Sequence, residues 1–306
     1  MSFLDILKGL EIGQIAGILQ RVSGGDQQKL KALLCDELEV QLIERVLKLF
    51  DKTGRRISPK GLQNAVCDPD KNFRLIQPEF KTMYDYEQRL IRFRRMFSGP
   101  LSEAYFEDRI KKLIIEIKSN RFLVNLLNGV YLPILMPKIE TKDFDYGTTL
   151  EQIFLPAVEK AYKKQFPNRS FYNYRKGQLA NQVSIIQCSR HEILVEKMKQ
   201  GIVYGIYFPN PLQGFSVLAA CEQMSTLPES LILSGGFDSS VAQVMYPDIL
   251  ARDLKTLGYD LSALCWRSSG CSLFFRACVD RLGFCSGAFL GVAGGGSSSG
   301  LLFLGV

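Results

Sequence analysis

Near the carboxy end the chain alternates apolar side chains with everything else, and an alternation of period two specifies a strand with one buried face. Leu273, Phe275 and Ala277 fall on one side; Ser272, Phe274, Arg276 and Cys278 fall on the other. A second run places Leu282 and Phe284 inward, with Gly283 and Cys285 outward. A third would set Ala288, Leu290 and Val292 inward, and Phe289, Gly291 and Ala293 outward. The last, Leu301-Leu302-Phe303-Leu304, is apolar throughout and reads as a strand buried on both faces. The inward set is uniform, whereas the outward set mixes aromatic, basic, thiol and glycine positions without chemical logic. One-residue slippage would turn the whole apolar set to water, so this pattern fixes a register as well as an element.

The same segment has a restricted alphabet. Arg267 to Val306 uses only nine residue types and lacks Lys, Glu, Gln, Met and Trp, which the preceding chain uses. All nine types can be encoded by codons ending in a pyrimidine, and the five absent ones cannot. Codons randomised at their first two positions would give such a tail. A disordered end would be polar and charged, and this one is apolar. A frame-shifted end would not keep a regular inward face.

A fixed strand framework with haphazard outward residues resembles the variable region of the target proteins of diversity-generating retroelements. Cys265-Trp266-Arg267-Ser268-Ser269 and Ser299-Gly300-Leu301-Leu302-Phe303 are similar to the constant frame of such a repeat. The tail departs from that pattern in holding no Asn and no Tyr. The resemblance implies an α+β fold: a helical region over 1–128, then a C-type lectin-like domain of the formylglycine-generating-enzyme type over 129–306. It also implies a ligand-binding display protein, diversified by mutagenic retrohoming, with no catalytic role and no cofactor. The variable surface would be drawn from Cys265, Arg267, Gly270, Cys271, Phe274, Cys278, Val279, Asp280, Gly283, Cys285, Ser286, Gly287, Phe289, Gly291, Gly294, Gly295, Gly296 and Ser297. Phe274 and Phe289 are the expected aromatic anchors, Arg267 and Arg276 the polar contacts, and the glycines at 294–296 products of chance. Scaffold likeness alone confers no activity.

Composition bounds the rest. With 306 residues, 46% of them hydrophobic, the chain can bury a sizeable core. Its net charge of +7 is spread, with clusters at Arg89–Arg95 and Lys160–Lys164. These read as solvated helix faces, since no nucleic-acid recognition motif accompanies them. Partners are therefore expected to be a protein or surface ligand on the variable face, and a partner protein on the amino-terminal helices. The start, Met1-Ser2-Phe3-Leu4-Asp5, lacks the pattern of a secretory signal, and no stretch is long and apolar enough for a membrane span. Cys265, Cys271, Cys278 and Cys285 are spaced too widely for a paired zinc site, so free thiols and no metal are expected. The expected location is the cytoplasm or a phage particle.

Along the chain, helices are expected over 28–50, 80–97 and 102–127, with Asp51-Lys52-Thr53-Gly54 as a turn. Leu132–Pro137 is extended. Further helices span 149–166, 191–200 and 216–224, strands 202–208 and 231–233, and 168–181 is a polar loop.

One motif competes. Ser230-Leu231-Ile232-Leu233-Ser234-Gly235-Gly236-Phe237-Asp238-Ser239-Ser240 resembles the phosphate-binding loop of ATP pyrophosphatases. Two glycines and two hydroxyls at a strand-to-helix junction suit a pyrophosphate, and the alternative function is a nucleotide-dependent enzyme using Ser234–Ser240. Only 66 residues follow Ser240, too few for that parallel fold, and Ser234–Ser240 is expected instead to be a turn between core elements. His191, the single histidine, reads as a surface or capping residue at the start of a helix.

Overall fold

The computed structural model describes residues 11–34, 48–80, 83–97, 102–267 and 270–305. The chain divides into two compact units, residues 1–47 and 48–306. In the first, α1 (Ile12–Ser23) ends at Gly24 in the left-handed conformation, and α2 (Gln27–Leu34) follows. Most of the helix expected over 28–50 lies outside the described residues.

The second unit begins with an irregular segment, 48–80, inside the region 1–128 expected to be mainly helical. Pro59, Pro69 and Pro78 and the positive-φ residues Gly54 and Gly61 explain its extended, turning course. The Asp51–Gly54 turn forms as read, with the Asp51 carboxylate accepting from the Thr53 amide at 2.8 Å. Then come α3 (Met83–Met96) and α4 (Glu103–Ser119), the latter capped by the Ser102 hydroxyl. Phe93, Phe106, Ile110 and Ile117 of these helices are buried in the same apolar core as the sheets. No boundary therefore falls near 128, because the helices need the sheet side to cover their apolar stripe.

Beyond them the chain is mixed α+β. It builds β1 (Leu132–Met136), a helix with two α-helical stretches, α5 (Tyr146–Thr149) and α6 (Leu155–Gln165), then β2 (Ser170–Asn173) and β3 (Val183–Ile185). Residues Leu150–Phe154 between α5 and α6 form a π-helical turn in which the Leu155 amide bonds the Leu150 carbonyl. Pro156 explains the widening, since it has no N–H and its ring excludes the carbonyl four residues back. Next are α7 (His191–Gln200), β4 (Val203–Phe208), α8 (Val217–Glu222), β5 (Leu231–Leu233), α9 (Gly236–Met245) and α10 (Pro247–Leu250). Strands β6 (Gly258–Asp260), β7 (Leu264–Trp266), β8 (Ser272–Ala277), β9 (Arg281–Gly287), β10 (Ser297–Ser299) and β11 (Leu301–Phe303) close the chain. Strand β2 lies inside the expected 168–181 loop; it is polar because it pairs at the sheet edge, parallel to β9.

Two sheets carry the unit. The first has the order β1-β4-β11-β5, all neighbours antiparallel. The terminal strand β11 is thus central, which is why Leu301, Leu302 and Phe303 are apolar on both faces. The second has the order β10-β6-β8-β9-β2. Gly300 carries the chain from one sheet to the other, and a Cβ there would stand 2.6 Å from the Tyr207 hydroxyl. Strands β3 and β7 form a separate pair.

The period-two reading holds through β8 and β9. Leu273, Phe275, Ala277, Leu282 and Phe284 are all buried, and Phe274 and Arg276 are not. The third run is not a strand. Phe289 to Val292 forms a turn closed by the Val292 amide on the Phe289 carbonyl, and Ala288 and Val292 face solvent. Glycines at 287, 291 and 294–296 weaken strand structure there. No helix among the described residues is long and apolar enough to cross a membrane.

Candidate functional site

The 288–296 segment folds back over the outer face of the second sheet. Pairing aligns Asp260 with Phe274, Phe274 with Cys285, and Ser272 with Gly287, so these side chains share the outer face with Gly258 and Arg276. Between the sheet, the returning segment, Phe73 and Val217 lies a cavity of about 440 Å³. That volume falls within the range of ligand sites.

Six of the expected surface positions line it: Phe274, Gly287, Phe289, Gly294, Gly296 and Ser297. Phe289 is 75% exposed at its mouth, with Val292 exposed beside it. The Phe274 and Phe289 rings converge over Gly287, each within 3.4 Å of where a Cβ would stand. Exposed Leu218 extends the apolar rim. Contiguous exposed apolar surface of this kind marks interaction sites.

The remaining expected positions lie outside the cavity. Cys265, Arg267, Gly270 and Cys271 gather around β7, where the Arg267 guanidinium lies 4.3 Å over the Trp266 ring. Cys278, Val279 and Asp280 form the β8–β9 turn. Gly291 is exposed, and Cys285 is half-buried. Gly283 is buried, with Tyr174 against it. Ser286 pairs with Leu273, so it shares the inward face and bonds Arg175 at 2.8 Å. Ser272, read as outward, is on the outer face but covered at the cavity floor.

The glycines at 294–296 are not products of chance alone. A Cβ on Gly295 would stand 2.7 Å from the Asp68 carbonyl oxygen and 2.8 Å from the Asp70 amide. The Gly295 carbonyl accepts from Asp70 and Gln213, and the Gly296 carbonyl from Gly258. Gly295→Ala is therefore expected to cost about 1–3 kcal/mol through backbone displacement, and Gly291→Ala, whose Cβ would only touch Leu218 at 4.0 Å, almost nothing. Urea melts of the two variants check this.

Asp260, Arg276, Phe73, Val217 and Val292 also line the cavity. Alternation around Tyr259 would have put Asp260 outward. Nothing local marks Phe73, which arrives from the irregular segment. Burial raises the Asp260 carboxyl to about 6, offset in part by a hydrogen bond from Ser297. Arg276 stands exposed at the rim.

The Ser234–Ser240 loop is elsewhere and closed. Ser234–Gly235 leads into helix α9, not a turn, because the Asp238 carboxylate accepts from the Gly235 amide at 2.9 Å and caps it. The amides of Gly236 and Phe237 donate to the Tyr146 hydroxyl at 2.9 and 3.3 Å. Phe237 is stacked between Tyr146 and Phe154, at 4.0 and 4.4 Å. A Cβ on Gly235 would meet the His191 ring at 2.6 Å. The amides that would cradle a phosphate are occupied, and Ser234, Asp238, Ser239 and Ser240 are buried. His191 is likewise buried rather than at the surface or capping the helix, because its ring packs against Gly235 and bonds Tyr146 at 2.8 Å.

The described cysteines are free. The hydrogen bond between Cys188 and Cys221, with burial second, pushes the Cys221 thiol up, and the same bond holds the exposed Cys188 down at about 6. Compared with known proteins, the chain matches no family model, no curated protein and no solved structure.

Proposed function

We propose that this protein is a ligand-binding display protein whose carboxy-terminal scaffold is of the C-type lectin-like, formylglycine-generating-enzyme type, and whose outward residues are diversified by mutagenic retrohoming. It acts by binding rather than by catalysis, on a protein or surface ligand.

One observation carries the reading. On β8 and β9 the inward residues Leu273, Phe275, Ala277, Leu282 and Phe284 are at most 5% exposed, while outward Phe274 and Arg276 and the neighbouring Phe289 line an open cavity. A rigid core face with substitutable, solvent-facing partners is what a varied binding surface requires. The narrow codon alphabet of the tail supports diversification of the same stretch. The competing nucleotide-dependent enzyme gains no support from a loop whose amides are already bonded within the core.

Two displayed libraries of the full chain test it. One randomises 274, 276, 285, 287, 289 and 291, and the other 273, 275, 277, 282 and 284. The first is expected to display near the level of the parent and to yield binders to arbitrary proteins; the second is expected to lose display. Equal loss in both would sink the proposal. In the genome of origin, a near-copy of the tail's coding sequence with adenines at the outward codons, beside a reverse transcriptase, is expected as well.

A further inference from the structure

The cavity has an internal asymmetry that selects among ligands. Its mouth and walls are aromatic, through Phe289, Phe274 and Phe73, and its floor carries one carboxylate, Asp260. Each charged or titratable group facing Asp260 can be named element by element. On β6 its same-face neighbour is Gly258, and β10 supplies Ser297. The returning segment gives Phe289, Val292 and glycines, while the 48–80 segment gives Phe73 and α8 gives Val217. Among the described residues the single cation lining the cavity is Arg276, two residues along β8 from Phe274, the residue paired with Asp260, and it stands exposed at the rim.

Asp260 therefore has the Ser297 hydroxyl beside it and, among the described residues, no cation holding it down: burial raises its carboxyl, and Ser297 is the group that offsets this. A carboxylate in that position is complementary to a positive charge that arrives with its own apolar stem. Ring faces add attraction for the same charge and cover the stem. Arg276 at the rim is complementary to an acceptor on the ligand's backbone beside that side chain.

Resting on the display reading above, we infer that this cavity receives the basic side chain of a protein partner, a lysine or arginine threaded between Phe274 and Phe289 with its charge on Asp260. A purely apolar anchor would fill the walls and leave the carboxylate desolvated and unpaired, which costs affinity. An acidic side chain would meet like charge at the floor.

The probe is a random 12-residue peptide library selected on the immobilised full chain, with Phe289→Ala as the cavity control. Peptides that bind through the cavity are expected to be rich in Lys or Arg. In the best of them, replacing the key basic residue by Met should cost at least tenfold on the wild type and about nothing on Asp260→Asn. Asp108→Asn, which changes an exposed aspartate on α4, should leave the tenfold effect intact. The wild type supplies a second measurement that needs no variant. As pH falls from 7.5 to 5, Asp260 takes up its proton through about 6 and loses its charge. Affinity for the basic peptide should drop with it, and affinity for the Met analogue should stay level. Cavity-dependent peptides with no basic preference, or a Met substitution that costs the same on wild type and Asp260→Asn, would overturn this inference and leave the display reading standing. Selected peptides indifferent to Phe289→Ala would instead count against the display reading itself.

Discussion

Phe275→Ala is expected to cost about 3–5 kcal/mol of stability and Phe289→Ala less than about 0.5 kcal/mol, although both remove the same ring from the same fifteen-residue stretch. Phe275 is fully buried, pairs with Tyr259 across the sheet and packs on Phe284 with ring centroids 5.1 Å apart. Its removal leaves a cavity that the neighbouring strands cannot close without losing register. Phe289 sits on a turn and is 75% exposed, so its unfolded and folded surroundings are nearly alike. For a unit of this size the first change corresponds to a loss of about 10 °C in Tm, and the second to none that a melt would resolve. Binding should reverse the ranking, with Phe289→Ala weakening any ligand held in the cavity. Comparable losses of stability in the two variants would show that the outward residues belong to the core, and the separation of scaffold from surface would fail.

That separation was legible because strand periodicity is a strong local signal when one face is buried. Leu273, Phe275, Leu282 and Phe284 announced their face, and Leu301 to Phe303 announced a central strand. The 191–200 helix and the strands read at 202–208 and 231–233 were equally clear from their apolar spacing and flanking turns. What stayed hidden depends on distant contacts. The alternation of Ala288, Leu290 and Val292 is cancelled by glycines whose need becomes visible only once Asp68 and Asp70 are seen against Gly295. Phe73 reaches the cavity from the irregular 48–80 segment, and Val217 from a helix. The pair Gly235-Gly236 reads as a phosphate loop or a turn by composition; in the fold, Gly235 leaves room for His191, and Gly236 for Leu150. The helices before residue 120 looked separate because their apolar stripe is complete in itself, and only the sheet face that receives it joins them to the core.

The buried centre behind that glycine pair has its own expected signature, a pH dependence that single variants expose and the wild type conceals. Burial lowers His191 from 6.5 to about 4, so the imidazole is neutral in the folded chain. The Tyr146 hydroxyl accepts from Gly236 and Phe237, so its proton goes to His191 Nε2, an arrangement that requires the neutral ring. Burial raises Asp238 from 3.8 to about 7, against the hydrogen bonds from Ser234, Gly235 and Ser239. The signs oppose. A base whose folded value is depressed contributes stability above 6.5 that is lost as pH falls towards 4, because the unfolded chain takes the proton. A carboxyl whose folded value is raised contributes stability below about 4 that is lost as pH rises through 7, because the unfolded chain gives its proton up. Between pH 4 and 6.5 the two slopes, each about 1.4 kcal/mol per pH unit, cancel. Asp238→Asn leaves the histidine alone, and its stability should fall by about 3 kcal/mol from pH 6.5 to 4. His191→Gln leaves the aspartate alone, and its stability should fall by about 4 kcal/mol from pH 4 to 7, the opposite direction. Urea melts of both variants across pH 4 to 8 measure the slopes. Parallel profiles would mean that these two side chains do not hold opposite protonation states in the core, and that the hydroxyl of Tyr146 orders the start of α9 without the help of a neutral imidazole.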